Sequence, residues 1–94
     1  MQRDTLVAIL TRAQGMRLEG DRYRLQNDYE VTVYLGQPGR AVAIDHVQSL
    51  VLTDTHVEVE ARDRGTFYVA FDILHALLES RRKERRGGAG SVGF

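Results

Sequence analysis

Apolar and polar residues change their spacing along this chain, and each change marks a predicted element. From Asp4 to Gln14 the apolar residues Leu6, Ile9, Leu10 and Ala13 recur every three or four positions, which predicts a short amphipathic helix. Asp4 or Thr5 is placed to cap its start and Gly15 to end it. At Met16 the period drops to two. Met16 and Leu18 alternate with Arg17, Glu19-Gly20-Asp21 carries turn chemistry, and Tyr23 and Leu25 alternate with Arg22 and Arg24, the pattern of a small hairpin. After Gln26-Asn27-Asp28, the run Tyr29 to Leu35 alternates with β-branched residues at its centre and predicts a strand.

Gly36-Gln37-Pro38-Gly39 predicts a turn, and Arg40 to Ile44 a returning strand. Beyond it, Asp45 is expected to cap one turn before a short strand at Leu50 to Leu52. Thr53-Asp54-Thr55 breaks the chain, and His56 to Arg62 reads as a strand with Val57, Val59 and Ala61 facing inward. Asp63-Arg64-Gly65 then turns into a strand over Thr66 to Phe71. At Asp72 the spacing lengthens again: Ile73, Leu74, Leu77 and Leu78 form a stripe that predicts a C-terminal helix capped by Asp72 and extending through Arg81.

The blocks Val42-Ala43-Ile44-Asp45 and Val69-Ala70-Phe71-Asp72 match, and each comes after an alternating run and a glycine, Gly39 or Gly65. Two strand-turn-strand-Asp copies are therefore expected. The predicted fold class is α+β: an N-terminal helix, an antiparallel sheet of five to six strands holding both copies, and a C-terminal helix packed on the sheet. Antiparallel order is expected because the turns are too short for crossovers. Residues 1–86 are expected to form a single domain and 87–94 a flexible glycine-rich tail.

With 94 residues, 43% of them hydrophobic, the chain supports one core, and pairing with a second copy would supplement its stability. The lack of cysteine excludes disulfides and thiolate chemistry. No stretch approaches the roughly 20 apolar residues of a membrane span, and the N-terminal segment lacks signal-peptide character; a cytoplasmic setting is expected. Net charge is zero, but residues 79–94 carry five cations against two acids and the first 78 carry eight against eleven. The body is mildly acidic and the end basic.

Candidate chemistry is sparse. Asp45 and Asp72, in equivalent positions, invite a paired-carboxylate reading, but their apolar flanks point to capping. His46, His56 and His75 occupy non-equivalent slots of the two copies, so no metal site and no cofactor are expected. None of the serines has a nucleophile-elbow context and no phosphate-cradling glycine loop precedes a helix, so no enzyme is expected. The strongest local signal is the basic run Arg81, Arg82, Lys83, Arg85 and Arg86, which on a helix would suit a phosphate backbone.

The stretch Asp45-His46-Val47-Gln48-Ser49-Leu50-Val51-Leu52-Thr53-Asp54 resembles the conserved block of Sm-like RNA-binding proteins. There an aspartate is succeeded four residues later by asparagine and then a Leu-Val-Leu run. The likeness covers about ten residues. Ser49 stands at the asparagine position, among the residues that would hold RNA, and Arg64-Gly65 is similar to the Arg-Gly of the family's second motif. The strand before Asp45 is shorter than the bent second strand of that fold.

Three functions remain open on these residues. The first is a non-catalytic protein-interaction or adaptor module, acting as a homodimer with an unknown protein partner through sheet edges at Tyr29 to Leu35 or His56 to Arg62. The second is nucleic-acid binding through Arg81 to Arg86. The third is a small-ligand sensor with its pocket near Asp45, Asp72 and the tyrosines. No membrane partner is expected.

Overall fold

A computed structural model describes residues 1–36 and 39–82. The element order is α1 (Arg3–Arg12), β1 (Met16–Glu19), β2 (Arg22–Leu25), β3 (Tyr29–Leu35), β4 (Val42–Ile44), β5 (Val47–Leu52), β6 (His56–Ala61), β7 (Gly65–Ala70), a 3-10 turn (Phe71–Ile73) and β8 (Leu74–Arg81). The protein is thus α+β, with one N-terminal helix and two antiparallel sheets: five strands in the order β1-β2-β5-β6-β7, and three in the order β4-β3-β8.

One core joins the helix and both sheets. Leu6 and Leu10 from α1, Met16 from β1, Val31 and Val33 from β3, Ile44, Val47 and Leu50, then Val57, Val59, Ala61, Val69 and Leu74 form a single buried cluster. The period-two expectation for β6 holds in detail, with Val57, Val59 and Ala61 buried and Glu60 exposed. Gly20 takes φ 68 in the tight β1–β2 connection, where a side chain would be strained.

The helix starts after Gln2, and no side chain caps it; Asp4 lies in the first turn instead, where its charge favours the helix dipole. The helix stops at Arg12 with Ala13 as an extended C-cap. Gly15 ends nothing. It lies where the chain passes Tyr29 and Glu79 so closely that an added Cβ would stand 3.0 Å from Glu79 Oε1.

The largest correction concerns the expected C-terminal helix. Leu74–Arg81 is a strand, paired antiparallel with β3 from Tyr29↔Arg81 to Leu35↔Leu74, with a bulge between Tyr34 and Leu35. Leucine, alanine and glutamate are good helix formers, but such propensities amount to only tenths of a kcal/mol per residue, and β3 offered a full edge whose backbone groups needed partners; pairing outweighs propensity. Only Leu74 of the expected stripe is buried in the core, while Ile73 and Leu78 are exposed.

The matched blocks do not take matched places. Both end hairpins, β3–β4 and β6–β7, but these lie in different sheets. Val42 is 62% exposed, whereas its counterpart Val69 is buried. After Ile44 the chain bends at Asp45 and His46, and β5 begins at Val47, three residues earlier than the strand expected at Leu50.

Candidate interaction edge and adjoining polar clefts

Among the described residues neither aspartate singled out in sequence is the N-cap of a helix. Asp45 accepts a hydrogen bond from Thr32 Oγ1 at 3.2 Å, and the next element is a strand rather than a helical turn. Asp72 lies inside the 3-10 turn, which Ala70 opens with no side-chain cap. Of the basic run, Arg81 closes β8 and Arg82 comes directly after it: the Arg81 guanidinium lies 5.6 Å from the Tyr29 ring centre, and Arg82 Nε is 3.9 Å from Glu30. Lys83, Arg85 and Arg86, with the expected tail at 87–94, lie outside the described residues.

The outer face of the five-stranded sheet carries a polar network. A bulge at Gln48 shifts the alternation in β5, so that Val47 and Leu50 both reach the core while Ser49 turns to the opposite face. There Ser49 Oγ donates to Glu60 Oε1 at 2.8 Å and accepts from Arg22 Nη1 at 2.9 Å. Arg22 also pairs with Glu60 at 3.3 Å. Ser49 therefore lies within a strand, only 2% exposed, its hydroxyl committed to two neighbours. Both charged partners are substantially exposed, so the ion pair is worth at most about 1 kcal/mol. Replacing Ser49 by alanine leaves the pair intact and should cost about 1 kcal/mol in denaturant unfolding.

Along the same face His56 is held by its neighbours. Its Nε2 donates to Glu58 Oε2 at 3.0 Å, and its Nδ1 meets the hydroxyls of Thr53 and Thr55 at 3.1 and 2.9 Å. The ring centre lies 6.1 Å from that of Tyr68. His75 is exposed on β8 and His46 lies at the bend between β4 and β5, so the three histidines serve three different places. Among the described residues no group of three or more His, Asp or Glu is placed to hold a metal ion.

This face ends at β7, an outer strand of the five-stranded sheet. The expected edges, Tyr29 to Leu35 and His56 to Arg62, are both interior: β3 lies between β4 and β8, and β6 between β5 and β7. Proteins blunt sheet edges with charge, proline, bulges or shortness. Edge strand β4 is three residues long, β1 has four and carries Arg17 and Glu19, and β8 is bulged and ends in Glu79, Ser80 and Arg81. By contrast β7, Gly-Thr-Phe-Tyr-Val-Ala, has no charge and no proline, pairs with β6 in unbroken register, and exposes Tyr68 to 71%. Sequence reasoning missed this edge, although the uncharged run from Gly65 to Phe71 between two charged segments was a visible signal.

Among the described residues, three clefts adjoin the elements named above. One, about 160 Å³, lies above the Ser49 network and is walled by Tyr68. A second, about 510 Å³, separates the end of α1 from the β1–β2 hairpin, with Leu10 and Met16 among its lining. A third, about 200 Å³, is formed by Leu25, Glu30, His46, Gln48, Arg62 and Arg82. Neither Asp45 nor Asp72 lines any of the three. Among the described residues no helix is long and apolar enough to cross a membrane. Comparison with protein families, with curated proteins and with solved structures gave no match.

Proposed function

We propose that this protein is a non-catalytic interaction module that self-associates as a homodimer through the edge of β7. The observation that carries the reading is the unprotected character of that strand. Six residues of regular edge expose backbone groups with none of the devices that discourage pairing. A second copy is the occupant best suited to it. Across a two-fold axis each residue near the axis faces its own counterpart, so a charged strand would repel itself, and β7 has no charge to repel. Antiparallel pairing of β7 with its copy would join two five-stranded sheets into one, with Tyr68 of each copy beside the junction adding aromatic contact. The outer-face network then forms a polar rim around the joint, as interfaces commonly have.

The test is the mass of the native full-length protein in solution, measured for the wild type and for the double variant Thr66→Lys, Tyr68→Lys. In the monomer these positions lie directly across from Glu60 and Glu58, so both lysines gain opposite charges and the fold should be kept. Across the junction they bring like charges together. The wild type is expected to be dimeric and the double variant monomeric but still folded, with a cooperative unfolding transition whose midpoint falls only by what association contributed. A monomeric wild type, or a variant that stays dimeric, overturns the reading.

A further inference from the structure

We infer that the cleft bounded by His46, Gln48, Arg62 and Arg82 binds a phosphate group. Its chemistry is that of an anion site. The backbone first brings the residues together: Arg62 N–H donates to His46 C=O at 2.9 Å, so the two side chains leave adjacent points of neighbouring strands. Arg62 Nη2 then lies 3.3 Å from His46 Nδ1. A guanidinium has only hydrogens to offer, so Nδ1 is the acceptor and the ring hydrogen is on Nε2. His46, Arg62, Gln48 and Arg82, each with N–H donors to offer, line one space. Charge does not oppose an anion: of the lining residues two are arginines and one, Glu30, is a carboxylate, and the Asp63 carboxylate outside the lining holds Arg62 Nε only loosely, at 4.0 Å. Guanidinium groups match the paired oxygens of phosphate in geometry as well as charge.

The way the backbone is bent also singles out this place. Among the described residues, the non-glycine positions with positive φ are Asp28 at 74°, His46 at 58° and Asp63 at 65°. Such conformations are uncommon for residues with a side chain, and they gather where a site is being shaped. All three adjoin the cleft. His46 lines it, Asp63 is next to Arg62 in the chain, and the Asp28 carbonyl accepts the backbone N–H of Arg82. The β5 bulge falls at Gln48, and bulges re-aim side chains beside sites. Regular β5 would not bring Gln48 to the cleft without turning Val47 or Leu50 out of the core.

Size narrows the ligand. A space of about 200 Å³ is smaller than the roughly 300–1,000 Å³ of sites for drug-sized organic molecules, and it suits one phosphate group with a short ester substituent. Glu30 tells how the empty and filled forms differ. It holds Arg82 only loosely, at 3.9 Å, and an incoming phosphate would take over that guanidinium. Removing the Glu30 charge should therefore tighten binding, an effect opposite to that of losing an ordinary structural ion pair.

The inference stands whether or not the protein dimerises through β7. Its test titrates the full-length protein with inorganic phosphate, a nucleoside monophosphate and a single-stranded oligonucleotide, tracking the Gln48 side-chain amide and the arginine Nε–H resonances. Saturable shifts confined to the cleft are expected with at least one probe. Response to phosphate alone identifies a free phosphate ligand, and response only to the oligonucleotide identifies a phosphodiester; either supports the site. Arg62→Gln should weaken binding by about tenfold or more, the effect of losing a charge-assisted hydrogen bond. Gln48→Ala, a second and milder change, should weaken it less, Glu30→Gln should strengthen it, and Arg17→Gln, removing an exposed charge on β1, should leave it unchanged. No saturable shift with any probe, or equal losses from Arg62→Gln and Arg17→Gln, would overturn the inference.

Discussion

Replacing Leu74 by alanine is expected to lower stability by about 2–5 kcal/mol, whereas Leu78→Ala should change it by less than about 0.5 kcal/mol. The two leucines belong to one apolar stripe if residues 72–81 are helical, and both would then lose core packing. In the strand they differ. Leu74 is 3% exposed within the common core, opposite Leu35 at the bulged end of the β3–β8 ladder, and Leu78 is 49% exposed opposite Thr32. Truncating the first leaves a cavity between the sheets, while truncating the second removes surface that water already reaches. Urea unfolding with a common slope measures both values. Equal and large losses would return this segment to a helix.

That difference also explains which parts of the fold were legible beforehand. Alternation was reliable in β6, where Val57, Val59 and Ala61 meet the core while Glu58 and Glu60 meet the polar face; each residue's character agreed with its side of the sheet. It failed in β8, because Leu-His-Ala-Leu-Leu-Glu-Ser-Arg suits either period and the deciding factor is the edge of β3, which lies far earlier in the chain. The bulges at Gln48 and between Tyr34 and Leu35 are likewise products of pairing, since nothing local marks which residue will be left without a partner.

The candidate sites divide along the same line. Asp45 and Asp72 drew attention because the sequence around them matches, yet a matching sequence specifies matching structure only when the surroundings match too, and Val42 and Val69 show that they do not. Arg62 belonged to no motif, and Gln48 only to the Sm-like block, where no role was expected of it. They meet His46 because β5 and β6 pair and because left-handed turns at His46 and Asp63 end that pairing. The Sm-like block is affected in the same manner. Its Ser49 is fixed within β5 by Arg22 and Glu60, and the bend at Asp45 and His46 brings His46 and Gln48, but not Ser49, to the cleft they share with Arg62 and Arg82.

Glu79→Ala is expected to cost about 1–3 kcal/mol, with Glu79→Gln recovering most of the loss. Glu79 is the carboxylate that joins the end of α1 to β8. Its Oε1 accepts the partly buried Gly15 N–H at 2.7 Å, and its Oε2 lies 3.4 Å from the Gln14 N–H. Removing the acceptor strands a backbone donor where the helix leaves off, and the penalty for such a donor exceeds the net value of an average hydrogen bond. Glutamine keeps an oxygen in the same place, so geometry survives and only the charge-assisted part is lost. Gly15→Ala approaches the same joint from the other side. An added Cβ would stand 3.0 Å from Glu79 Oε1 and 3.2 Å from two atoms of Tyr29, so the hydrogen bond must lengthen or β3 must move, a crowding cost of about 1–3 kcal/mol. Because both substitutions break one joint, the double variant Gly15→Ala, Glu79→Ala should lose less than the sum of the single losses. Thermal unfolding reads this as midpoint shifts of roughly 4–8 °C per kcal/mol for a domain of this size, and strictly additive shifts would mean that Gly15 and Glu79 act independently.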